Sequence, residues 1–193
     1  MSDLPMEGPS RPPEGYIGRM LPLLALLTHA SAGTLAGVTL PDTASVGGST
    51  LALNGLGLRE KLFIDIYVGG LYLSTATHDG TVAATTDAPK RIVMHFVYKV
   101  SKSQMVDSFN EGFAASPGAT PDQIATLLGM MPDSINVGQE VVIDYVPGTG
   151  TSFTIGGVNR GTISGSTFMK ALFGIYVGPH PPTEDLKKGM LGS

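Results

Sequence analysis

Tight, glycine-rich turns join the strand-like segments of this chain, and they constrain its fold more than any other feature. Gly47-Gly48 and Gly156-Gly157 each separate two short segments in which apolar and polar residues alternate. Parallel neighbours need a long crossover connection, whereas antiparallel neighbours need only a short turn. We therefore expect residues 139–146, 151–155 and 158–164 to form an antiparallel meander.

Helical spacing replaces this alternation in two parts of the chain. Ser101 with Gln104, and Thr120 with Gln123, have the capping-box spacing, and apolar residues at helical spacing follow each pair. Residues 167–177 and a short segment after Pro182 predict a second pair of helices. The order of strands, two helices, strands and two helices predicts an α+β domain, in which helices pack on one face of a large antiparallel sheet.

Residues 54–73 are the longest extended segment, and we interpret them as one central strand. The strand is expected to open with a turn at Gly55 and Gly57, and to bend or bulge at Gly69-Gly70. Arg59 and Tyr67 are eight residues apart, so the period of two places both on one face.

Arg59 has two interpretations. It is either a surface residue paired with Glu60, or a group that projects into an apolar cleft and binds a carboxylate or enolate oxygen. A guanidinium offers several donors and keeps its charge in such a cleft. The sequence pattern alone favours the interpretation of Arg59 as a surface residue.

The N-terminal 32 residues are predicted to lie outside the domain. Residues 1–18 are rich in proline and are interpreted as a disordered or mis-started extension. Residues 19–32 contain Arg19, a short apolar run and an Ala-x-Ala site, which indicate a signal peptide cleaved near Ala32. A buried helix or a membrane anchor is the competing interpretation. The mature domain, residues 33–193, is then expected to be periplasmic or secreted, with no membrane span.

Composition excludes several kinds of site. The chain has no cysteine, and its histidines are isolated, so we predict no metal site and no cofactor. It also has no tryptophan and no basic cluster, which argues against nucleic acid as a partner.

Two blocks of the sequence carry a family resemblance. The first runs from Gly55-Leu56-Gly57-Leu58-Arg59 to Gly70-Leu71-Tyr72-Leu73, and the second contains Phe173-Gly174-Ile175-Tyr176-Val177-Gly178. In order and spacing they resemble the chalcone isomerase family, and in particular its bacterial, exported chalcone-isomerase-like domains. The resemblance implies an open-faced β-sandwich with a ligand cleft between sheet and helices. Arg59 stands where the plant enzymes have an arginine that stabilises the oxyanion during ring closure.

Other positions depart from the enzymes. Tyr67 stands at a threonine of the enzymes, and Met105, Gly112 and Ala171 stand at a tyrosine, an asparagine and a threonine or serine. The pair of Arg59 and Tyr67 instead resembles the fatty-acid-binding relatives, in which such a pair holds a carboxylate.

We consider three functions for this chain. The first is a non-catalytic protein that binds a small amphipathic carboxylate, expected to be a fatty acid. Its ligand-binding residues would be Arg59, Tyr67, Met105, Phe109 and Ala171, although ordinary core packing is the alternative for the apolar members. The second is an intramolecular lyase that uses Arg59 as a catalytic oxyanion stabiliser, and the third is a structural or interaction domain with a filled core.

Overall fold

The computed structural model describes residues 33–193, so the predicted extension and signal peptide lie outside the described residues. The strands are β1 (Gly33–Leu35), β2 (Val38–Leu40), β3 (Thr43–Val46), β4 (Ser49–Lys61), β5 (Ile64–Leu73), β6 (Lys90–Phe96), β7 (Val100–Ser101), β8 (Ser134–Ile135), β9 (Glu140–Val146), β10 (Gly150–Ile155) and β11 (Val158–Ile163). The helices are α1 (Gly80–Thr85), α2 (Lys102–Ala115), α3 (Pro121–Gly129), α4 (Ser166–Val177) and α5 (Glu184–Met190).

A curled antiparallel sheet of seven strands forms the centre of the fold, in the order β11-β10-β9-β6-β5-β4-β3. The predicted meander is present, because β9 pairs with β10 and β10 pairs with β11, both antiparallel. Two small antiparallel pairs, β1-β2 and β7-β8, lie outside this sheet. The α+β prediction is therefore confirmed.

Alternating side chains of the central strands divide between two apolar layers. On β6, Ile92, Met94 and Phe96 belong to the large core beneath the helices. Val93, between them, belongs to a smaller core on the opposite face, together with Val38 and other residues from β2 to β5. Helices therefore cover one face, as predicted, and the first strands of the chain cover part of the other.

The helix starts are where the capping signals predicted them. Ser101 and Thr120 each form a complete capping box at the starts of α2 and α3. The connection predicted before β6 contains a helix instead, because the Asp79 carboxylate accepts hydrogen bonds from two backbone N–H groups and starts α1. This helix buries Ala83 and Ala84.

The single strand predicted over residues 54–73 is wrong, because the chain reverses at Leu62-Phe63 and forms a hairpin of β4 and β5. Both turn residues have left-handed backbone angles, with φ of 51° and 64°. This is the geometry of a two-residue hairpin turn, whose twist matches that of the flanking strands. Such turns usually contain Asn or Gly, so Leu-Phe gave no turn signal.

The glycines of this hairpin serve close packing rather than turns. Gly55 and Gly57 lie within β4, and a Cβ on either would collide with the backbone carbonyl oxygen of Gly189 or Leu186 in α5. The β5-β6 register runs through Gly69-Gly70 without interruption, so the predicted bulge there is wrong. Gly55 and Gly57 are needed because α5 packs its backbone directly against β4.

The register between β4 and β5 shifts in two places, and one of these shifts lies close to the turn. Arg59 pairs with Tyr67 and Glu60 pairs with Asp65, which leaves Ile66 as the extra residue. The Ile66 carbonyl accepts hydrogen bonds from the backbone N–H groups of the two residues after β6, at 3.0 and 3.2 Å. The shift therefore ties the end of β6 to the hairpin. None of the helices in residues 33–193 is both long and apolar enough to cross a bilayer.

Candidate functional site

A cavity of about 480 Å³ lies between the sheet and the helices. Its apolar wall comes from strands β5 and β6 and from helices α2 and α4, with Ile66, Met94, Phe96, Met105, Phe109 and Ile175 among its residues. Exposed polar residues, including Lys61, Gln104 and Glu111, lie at its mouth. A hollow of this size and lining is typical of a small-molecule site.

Arg59 and Tyr67 face each other across the hairpin and both line this cavity. Directly opposed residues in an antiparallel pair have Cβ atoms roughly 5 Å apart. The hairpin therefore brings a cationic group and a phenol to one point of the wall, because each strand contributes one of the two side chains.

The guanidinium of Arg59 is half-buried and only partly engaged. Its Nη1 donates a hydrogen bond to the backbone carbonyl of Glu60 at 2.6 Å. The ion pair expected with the Glu60 side chain is not formed, and no carboxylate of residues 33–193 pairs with Arg59. Several of its N–H groups therefore remain available to a ligand.

Two buried tyrosines lie close to one another at this wall. Burial raises the pKa of Tyr67 above its ordinary value, and the nearby Arg59 cation opposes that rise. Burial, and then the proximity of Tyr67, raises the pKa of Tyr176. The raised pKa values keep both hydroxyls protonated at neutral pH. Neither hydroxyl has a hydrogen-bond partner among the described residues, so both can donate to a ligand.

The other predicted site residues divide between the cavity and the core. Met105 and Phe109 line the cavity, one and two turns into α2. Ala171 does not line it; its backbone carbonyl accepts a hydrogen bond from the Ser116 hydroxyl at 2.7 Å. Phe113 packs against Phe109 and the start of α4, with ring centroids 6.4 and 5.9 Å apart.

Helix α4 contributes Ile175 and Tyr176 to the cavity, and the sequence did not point to either. Nearly every residue of α4 is buried, so apolar spacing does not reveal which side of the helix faces the hollow. Tyr176 lies in a block that carried the family resemblance, but nothing there distinguished it from a core residue.

Two cavity positions that the resemblance aligns with polar residues of the enzymes, Met105 and Gly112, have no polar side chain here. Gly112 lies at the cavity wall, and a Cβ at this position would meet Ile175 at 2.8 Å. Met105 has a thioether at the position that the resemblance aligns with a tyrosine hydroxyl of the enzymes. No cluster of metal-ligating side chains occurs in residues 33–193.

Comparisons with known proteins agree with this architecture. The sequence profile described as chalcone isomerase-like matches residues 32–192. The comparison with curated protein sequences gives no match. Among solved structures, the fatty-acid binding protein AtFAP1 of Arabidopsis thaliana is similar, with a TM-score of 0.67 and 16% sequence identity. The alignment covers 83% of this chain and 96% of the plant protein, and at this identity it establishes the fold.

Proposed function

The chain belongs to the chalcone isomerase-like family, and we propose that it binds a small amphipathic carboxylate, namely a fatty acid, in the cavity beside Arg59. One observation carries the proposal: Arg59 and Tyr67 are cross-strand partners at the wall of a largely apolar cavity. The name of the similar plant protein, a fatty-acid binding protein, agrees with this ligand class.

The head group and the tail of such a ligand meet different parts of the cavity. The carboxylate would accept charge-assisted hydrogen bonds from Arg59 and hydrogen bonds from Tyr67 and Tyr176. Hydrogen bonds to charged groups contribute about 1.5–3 kcal/mol each. The acyl chain would contact Met105, Phe109 and the other apolar wall residues, where each buried CH₂ contributes about 0.8 kcal/mol.

Native mass spectrometry of the protein purified from cells tests this function. We expect a lipid-sized mass to copurify, and added fatty acids to raise the melting temperature more than their methyl esters do. The ester has the same tail but lacks the anionic group, so it separates carboxylate recognition from apolar binding. The absence of both copurified lipid and thermal stabilisation would rule the proposal out.

A second function, cyclisation of a hydroxychalcone, is supported by the position of Arg59 at the wall of the cavity, where its guanidinium could contact an enolate oxygen. In that reaction the phenolate oxygen bonds to the β-carbon of the enone, and the resulting enolate then takes a proton at its α-carbon. Arg59 would stabilise the enolate oxygen, and one such donor is typically worth about 3–4 kcal/mol. An absorbance assay of chalcone consumption distinguishes the two functions. A lyase would consume the chalcone and lose this turnover in Arg59→Met, whereas a binding protein would show no turnover in either form.

The third interpretation, a domain with a filled core, required that no hollow adjoin Arg59. The cavity beside this residue argues against it.

A further inference from the structure

We propose that the hairpin tip, defined as Leu62, Phe63 and Ile64, docks on the surface of a phospholipid bilayer and holds the cavity mouth against it. The docking itself depends only on the hairpin. The consequence we draw from it, that fatty acid passes between bilayer and cavity, rests on the proposed function.

The hairpin tip presents unusually large apolar side chains to solvent. Phe63 is 94% exposed, Leu62 is 82% exposed and Ile64 is 42% exposed. Tyr98, which is 44% exposed, lies on the segment beside the hairpin, where its backbone N–H donates to the Ile66 carbonyl in β5 at 3.2 Å. Contiguous exposed apolar groups of this kind mark a surface that another phase or molecule covers.

The backbone of the tip is also unfavourable for these residues. Bulky L-residues rarely adopt left-handed angles, yet Leu62 and Phe63 both do. The turns at Ala36-Gly37, Gly47-Gly48 and Gly156-Gly157 have the same pair of positive φ angles, and each has glycine at its second position. Strain of this kind is expected where side chains have a role beyond folding.

The chemistry around the tip fits a phospholipid interface. Lys61 is exposed immediately before it, and Lys99 and Lys102 are exposed just after Tyr98. Four exposed carboxylates offset this charge, namely Glu60 and Asp65 beside the tip and Asp107 and Glu111 at the cavity mouth. Apolar side chains that enter below the head groups, with aromatic and lysine side chains at the level of the phosphates, form a typical interfacial arrangement. A strongly charged protein partner would instead be expected to require one dominant sign of charge.

The tip lies next to the opening of the cavity. Lys61 and Tyr98 both line the cavity mouth, whereas the three tip residues do not line the cavity. A docked tip would therefore bring the mouth to the lipid surface, and an acyl chain could move between the two without crossing bulk water.

Vesicle flotation and tryptophan fluorescence test the docking with the full chain. The protein has no tryptophan, so Phe63→Trp introduces a single reporter at the tip. Val82→Trp is the matched control, because Val82 is 47% exposed and lies on α1, after the opposite end of β5. The probes are vesicles of phosphatidylcholine, with and without phosphatidylglycerol.

We expect the wild-type protein to float with vesicles, and tryptophan emission to shift to the blue for Phe63→Trp but not for Val82→Trp. The double variant Leu62→Asn/Phe63→Gly keeps a favourable hairpin turn and should bind vesicles at least tenfold more weakly. Fatty-acid binding by this variant in vesicle-free buffer should be unchanged, which separates failure of docking from failure of the proposed function. Absence of flotation, or an emission of Phe63→Trp that vesicles do not shift, would overturn the proposal. It would also be overturned if the wild-type protein were a dimer in solution and the double variant a monomer.

Discussion

Replacing the hairpin turn by Leu62→Asn/Phe63→Gly should stabilise the fold while it removes the apolar tip. A left-handed conformation costs an ordinary L-residue roughly 1–2 kcal/mol, so two such residues cost roughly 2–4 kcal/mol. Asn and Gly adopt these angles readily. Leu62 and Phe63 are at least 82% exposed, so their removal sacrifices little burial. Glycine adds about 1 kcal/mol of unfolded-state entropy. The net gain in the free energy of unfolding is therefore about 1–3 kcal/mol.

Urea denaturation of the full chain, followed by circular dichroism, measures this gain. For a domain of this size, about 1 kcal/mol corresponds to about 2–4 °C, so the melting temperature should rise by about 2–12 °C. Gly48→Phe is the matched control, because Gly48 has φ of 82° in an equivalent turn and open space around it. The left-handed conformation costs about 1–2 kcal/mol and the loss of glycine returns about 1 kcal/mol of unfolded-state entropy, so this change should destabilise by up to about 1 kcal/mol. An unchanged or lower unfolding free energy in the double variant would refute the strain argument.

Three further predictions follow from other parts of the structure. Arg59→Met should weaken fatty-acid binding about tenfold in calorimetry, which is the lower end of the effect expected for a half-exposed charged donor. This variant should bind the matching fatty alcohol as the wild type does, and the control Arg160→Met, which changes an exposed arginine, should bind fatty acid as the wild type does. Gly57→Ala should lower the free energy of unfolding by more than about 2 kcal/mol, because its Cβ meets a backbone carbonyl of α5, whereas Gly129→Ala, with open space around it, should not destabilise. Burial raises the pKa of Tyr176 above that of unfolded tyrosine, so its contribution to stability is present below pH about 10 and is lost as pH rises further; urea titrations should show a smaller alkaline loss for Tyr176→Phe.

Elements with local signals could be predicted from the sequence. Both capping boxes and the β9–β11 meander are present as predicted. They could be predicted because the residues that determine each of them lie within a few positions of one another. Helix α1 has only six residues, and its start depends on the Asp79 carboxylate rather than on an apolar stripe. The side of α4 that faces the cavity was equally hidden, because burial on every side leaves no periodic signal.

The glycines of the first family block show a different limit. Gly55 and Gly57 suggested a turn, yet they lie in an extended strand. They are glycine because α5, more than 120 residues later in the chain, packs its backbone onto β4. A contact so distant in sequence cannot be inferred from local propensity, since the same residue type serves both turns and close approach.

The unpredicted turn at Leu62-Phe63 matters most for the site, because it determines whether Arg59 and Tyr67 can contact the same ligand group. On one continuous strand, eight residues would separate them by about 26 Å, and no single carboxylate could contact both. As cross-strand partners in the hairpin, their Cβ atoms are about 5 Å apart. Both arrangements place the two side chains on one face, but only the hairpin allows one anionic group to accept hydrogen bonds from the guanidinium and the phenol at once. The proposed binding therefore depends on a turn whose residues gave no turn signal, and moving either residue by one register position would send its side chain to the opposite face.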